Sequence, residues 1–101
     1  MDHYLFDAQE VFQAAVWMDD GREPIAGCGG NHDFTTAAQA TEWGLDRVRT
    51  KEAEQPVPRD APGWYMILTK GHYERTGETG FDAFDCDWIE EEIISGPVFT
   101  T

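Results

Sequence analysis

Trp64-Tyr65-Met66-Ile67-Leu68-Thr69-Lys70 is apolar at both alternating sets of positions, and its reading decides the fold. A strand with one wet face alternates apolar and polar residues, whereas a run apolar on both faces reads as a central strand of a sheet. The strand can continue through Tyr73 and Arg75. Immediately before it, residues 54–63 hold Pro56, Pro58 and Pro62 and read as a loop.

Upstream of that loop, Thr36-x-x-Gln39 is a capping box, so a helix opens there and runs to about Glu52. Ala37, Thr41, Gly44, Leu45 and Val48 fall on one helical stripe. Gly44 costs roughly 1 kcal/mol in helix propensity, so its use on that stripe implies close approach to the sheet. Trp43 lies off the stripe, among Gln39, Asp46, Arg47 and Thr50, and is either covered by a loop or exposed for a partner.

Further out, Val11–Met18 (VFQAAVWM) is rich in strand formers. Asp19-Asp20-Gly21-Arg22 has turn chemistry, and Glu23–Cys28 reads as the returning strand, with Pro24 at an edge or a start. Gly27-Cys28-Gly29-Gly30 breaks that strand as a flexible turn toward the helix and lacks the Lys-Ser/Thr ending of a P-loop. Tyr4–Phe6 is a further short strand candidate. Beyond the central run, residues 76–80 form a turn. Phe81–Ile89 then reads as a strand, with Phe84, Cys86 and Trp88 inward and Asp85 and Asp87 outward. A helical alternative would stripe Phe81, Phe84 and Trp88; aromatic content favours the strand. Gly96-Pro97 ends the element. The order β-β-α-β-β predicts a single α+β domain over 1–101, a small antiparallel sheet of about four strands with one helix packed on a face.

The charge is uneven. Of 20 acids and 7 bases, residues 1–20 hold five acids and residues 81–101 hold six, with no Lys or Arg in either stretch. A net charge of −13 on 101 residues repels nucleic acid and anionic membrane and attracts basic protein surface. No apolar run approaches the roughly 18 residues of a membrane span, and Met1-Asp2-His3-Tyr4 does not open a signal peptide. Cys28 and Cys86 read as reduced thiols, so a cytoplasmic location is expected, the host's if the chain is phage-encoded.

Catalytic readings are poorly supplied. Cys28-x₃-His32 could pair as metal ligands, but His72 and Cys86 lie far along the chain, unlike paired finger ligands. Cys28 with His32 or His72 as nucleophile and base lacks a nearby cation to lower the thiol pKa. The acids at 82–92 enclose no glycine turn of a calcium loop. The hairpin, Gly-Gly-Asn31 turn and helix resemble a truncated ribonuclease H-like core, yet Val11–Met18 carries none of the carboxylates that hold its metals. No enzyme, cofactor or metal site is expected.

The candidate contact surface is Asp82, Asp85, Asp87, Glu90, Glu91 and Glu92. These acids alternate with Phe81, Phe84, Trp88, Ile89 and Ile93, which anchor them to ordered structure. Trp43 and Tyr73 are candidate apolar anchors beside them. Outward strand residues repeat at roughly 6.7 Å, comparable to a phosphate row. In size, acidity and lack of a catalytic motif the chain resembles the small acidic inhibitors of phages and mobile elements, anti-CRISPR proteins and DNA mimics among them. That resemblance implies a basic nucleic-acid-binding protein or complex as partner, with no direct nucleic-acid or membrane binding. The alternative is a structural, adaptor or antitoxin-like module whose acidity serves solubility alone.

Overall fold

The computed structural model describes residues 10–75 and 86–99. Four strands and one helix follow in the order β1 (Val11–Asp19), β2 (Gly27–Phe34), α1 (Ala37–Glu54), β3 (Gly63–Arg75) and β4 (Cys86–Val98). The strands form one antiparallel sheet in the order β2-β1-β3-β4, and α1 packs on one face of it. The α+β reading therefore holds. The strand candidate at Tyr4–Phe6, the turn at 76–80, and Phe81, Asp82, Phe84 and Asp85 lie outside the described residues, as does the side chain of Cys86.

β3 is central because its two faces are both covered along its first half. Trp64, Met66 and Leu68 point at the helix and are at most 2 % exposed. They meet Ala14, Val16, Ala40 and Val48 in the core. Tyr65 and Thr69 point to the opposite face and are also buried. The Tyr65 hydroxyl donates to the Pro24 carbonyl at 2.6 Å, tying down the loop after β1. Burial, and then the Asp19 charge, push this phenol above its usual pKa, so it stays a donor.

The helix starts as expected. Thr36 is extended, its hydroxyl oxygen accepts from the Gln39 amide, and the buried stripe is Ala40, Gly44 and Val48, flanked by half-buried Ala37, Thr41 and Leu45. A Cβ on Gly44 would stand 2.6 Å from Met66 Sδ and 3.3 Å from Ala14 Cβ, so the helix approaches the sheet closely at this position. At the other end, Trp64 Nε1 donates to the Gln55 carbonyl at 2.8 Å, and Lys51 Nζ sits 5.5 Å from the Trp64 ring centre.

Two boundaries differ from the sequence expectation. The second strand is Gly27–Phe34, not Glu23–Cys28, and the glycine stretch lies inside it. The β1–β2 register shifts between Val16 and Trp17, so Gly29 is an extra residue that bulges. A Cβ on Gly29 would stand 2.5 Å from Val16 Cγ1, and Arg47 Nε of the helix donates to the Gly29 carbonyl at 2.8 Å. The residues before it, 20–26, form the connection. Its turn is as read: Asp19 and Asp20 carboxylates accept from the amides of Gly21, Arg22 and Glu23, and Gly21 has φ +89°. The two amides on Asp20 hold its carboxyl below the usual range.

The second correction is at the C-terminal end. Gly96-Pro97 does not end the last strand, which runs on to Val98 opposite Met66. β4 is last in the sheet, and Gly96-Pro97 falls in a register shift of its ladder, a place where the missing proline N–H is tolerated.

Candidate functional site

β4 carries the described part of the acidic run. Asp87, Glu90, Glu91 and Glu92 are all exposed. The strand pairs with β3 on one side, and the main contacts of α1 fall on β3, β1 and β2. Register assigns the faces. Trp88 stands opposite Tyr73, and Ile93 opposite Thr69, on the face away from the helix. Ile89 stands opposite His72, and Glu92 opposite Lys70, on the helix side but beyond its cover.

The β3–β4 ladder shifts between Lys70 and Gly71, so Glu91 is an extra residue and turns toward His72. His72 Nδ1 lies 2.5 Å from Glu91 Oε2, and Nε2 lies 3.2 Å from Glu74 Oε2. A neutral imidazole donates from one nitrogen only, and here both face carboxylates. Glu91 first and Glu74 second therefore raise the His72 pKa above its ordinary value. Next to it, Lys70 Nζ is 3.5 Å from Glu10 and 3.9 Å from Glu92. These two bases are met by Glu10, Glu74, Glu91 and Glu92, and Asp87 stands on the same face opposite Glu74, so acids outnumber bases among the described residues of this face, while Glu90 projects from the other. Among the described residues Asp87 and Glu90 make no ion pair.

Apolar surface is interleaved with this charge. Ile93 is 58 % exposed, Ile94 41 % and Ile89 36 %. Such β-branched side chains usually seek cover on a sheet.

Of the other predicted contact residues, Tyr73 is engaged within the fold. Its hydroxyl donates to Asp33 on β2, reaching across β1, and its ring lies 5.1 Å from that of Trp88. Asp33 also accepts from Gln13 Nε2 at 3.0 Å. Trp43 is half-buried, and what covers it is a strand end rather than a loop. Its ring centre lies 5.7 Å from that of His32 and 6.3 Å from that of Phe34. Phe34, Gln39, Glu42, Trp43, Asp46 and Arg49 line an open groove of about 530 Å³ there. It is on the helix, away from the β4 acids, so Trp43 belongs to a separate surface. Asp82 and Asp85 lie outside the described residues.

Thiol and metal chemistry gains no geometry. Cys28 pairs opposite Trp17 and His32 opposite Ala14, which puts them on opposite faces of the sheet. The Cys28 sulfur is exposed and accepts from the Gly30 amide at 3.4 Å. Among the described residues no three His, Cys, Asp or Glu side chains converge to hold a metal ion. No helix of the described residues is long and apolar enough to cross a membrane.

The sequence reading missed Lys70, His72, Glu74 and Glu10 as members of this cluster. His72-x-Glu74 on a strand was a usable signal, since alternate residues share a face. The Glu91 bulge that completes the cluster has no local signature. No protein-family model, curated protein or solved structure matches the chain.

Proposed function

We propose that this chain is a non-enzymatic acidic protein that binds and inhibits a basic nucleic-acid-handling protein, as DNA mimics and anti-CRISPR proteins do. The observation that carries the reading is the exposed run Glu90-Glu91-Glu92, with Asp87, held on an ordered edge strand rather than on a tail. Lysines and arginines that otherwise neutralise phosphates gain similar charge complementarity from carboxylates on both faces of such a strand, and their association is salt-dependent in the same way. The exposed isoleucines supply the desolvated contact that carboxylates alone lack.

The test is capture from lysate at low salt, elution in a salt gradient, and measurement of nucleic-acid binding by each captured protein with and without this chain. The expected result is release of basic proteins at high salt and displacement of their nucleic acid. The chain alone should give no gel shift with DNA or RNA. A triple variant, Asp87→Asn with Glu90→Gln and Glu92→Gln, should fold and lose capture, because exposed substitutions usually change stability by only about 0.5 kcal/mol. If that variant captures normally and Trp43→Ala does not, the acids serve solubility and the protein is an adaptor working through its aromatic groove.

A further inference from the structure

We infer that the outer edge of β4 takes a short, extended, basic segment of another protein as a fifth strand of the sheet. This rests on the reading of β4 as the contact surface and adds the mode of contact.

β4 is 13 residues long and stands last in the sheet, with no strand of the described residues on its outer side. Between its bulges and up to Pro97, which has no N–H, this edge presents backbone donors and acceptors that can pair with another extended chain, and its charge restricts which chain. The opposite edge, β2, is shorter, and Gly27, Gly29 and Gly30 give it few side chains to grip a partner. On β4 the exposed Ile89, Ile93 and Ile94 flank the acids, so apolar and anionic side chains both border its outer edge.

Charge selects the occupant. Side chains directly opposite in paired strands come within roughly 4.5–5.5 Å, and like charges there are unfavourable. Two β4 strands joined edge to edge would bring two −13 chains and their Glu90–Glu92 runs into proximity, which charge opposes, so a basic segment is favoured over a second copy. A segment that carries Lys or Arg together with Val or Ile on each of its two faces meets these acids with opposite charge and covers the isoleucines, because Asp87, Ile89 and Glu92 share one face of β4 and Glu90 and Ile93 the other. The three ladder shifts, at Glu91, at Ile94 and at Gly96-Pro97, coil the strand and divide its edge into short runs, which suits a short segment rather than a stack of long ones.

The experiment titrates the full-length chain into a fluorescein-labelled peptide of lysine and valine in alternating pairs, so that each face carries both, and follows anisotropy at low salt. A second peptide of the same sequence is N-methylated at each central residue, keeping charge and apolar surface while removing backbone donors. We expect the first peptide to bind and the second to bind at least tenfold more weakly. Glu90→Lys and, separately, Ile93→Lys should each weaken the first peptide at least tenfold, with melting curves showing that both variants fold. Equal binding of the two peptides would overturn strand addition while leaving the acidic contact surface intact. Binding of neither overturns it as well, and capture of folded basic proteins then decides the broader reading independently. A dimer by light scattering that Ile93→Lys dissociates would identify the edge as a self-interface, and the inference would fall.

Discussion

Gly71→Ala puts a methyl group where β3 and β4 already touch. The new Cβ would stand 2.2 Å from the Ile89 carbonyl oxygen and 2.8–2.9 Å from two carbons of the Trp88 ring. An ordinary carbon–oxygen contact is about 3.3 Å, so about 1 Å must be found. The oxygen belongs to a strand backbone, and the Trp88 ring is packed against Tyr73, so neither yields by a rotamer change. Overpacking of this kind costs about 1–3 kcal/mol, and loss of glycine's unfolded-state freedom returns at most about 1 kcal/mol. With two unyielding neighbours, a net loss of about 2 kcal/mol is expected, or about 8–16 °C in Tm for a domain of this size. Gly44→Ala is the matched control. Its Cβ meets the flexible Met66 side chain, at 2.6 Å from Sδ and 3.1 Å from Cε, and helix propensity returns about 1 kcal/mol. It should stay within about 1 kcal/mol of the parent. Urea unfolding followed by circular dichroism measures both. If Gly71→Ala loses no more stability than Gly44→Ala, the backbone clash is not what fixes the β3–β4 contact.

Three other outcomes follow from the same contacts. Raising sodium chloride from about 0.01 M to about 0.1 M shortens the Debye length from about 30 to about 10 Å and should raise Tm, because Lys70 and His72 offset only part of the surrounding acid; a flat or falling Tm contradicts this. His72 should titrate above its ordinary value of about 6.5 by NMR. A raised folded pKa contributes stability that is complete below about pH 6.5 and fades as pH rises through the folded value. His72→Gln should therefore lower Tm more at about pH 5.5 than at about pH 9, and the reverse order would refute the Glu91–His72–Glu74 arrangement. Thr36→Ala removes the helix cap and should cost about 1 kcal/mol, with Thr36→Ser close to the parent in the same unfolding assay.

What could be read in advance was local and consistent. The doubly apolar run at 64–70 became the inner strand, Thr36 and Gln39 opened the helix, and the cost of Gly44 pointed to its contact with Met66. β2 was misplaced because Gly27, Gly29, Gly30, Asn31 and Asp33 are poor strand formers. Pairing with β1 holds them there, and the packing of Val16 against Gly29 is invisible until the strands are aligned. The acids of the site were legible as a run, but their partners were not. Glu91 meets His72 through a bulge, and Tyr73 reaches Asp33 across an intervening strand, both set by register rather than by spacing along the chain.

Because α1 packs mainly over β2, β1 and β3, and β4 reaches the core only through Val98 near its C-terminal end, the sheet has two grades of permanence. The three covered strands share one buried core, and opening any of them exposes it. β4 is attached through its ladder to β3 and a few side chains, so it can lift away while the rest stays folded. Amide hydrogens of β4 should exchange by such local opening, well ahead of those of β1. Any partner that binds the closed strand slows that exchange in proportion to its occupancy. Contact at the rim of the sheet would then register as protection of the strand beneath it, with no change required at the core.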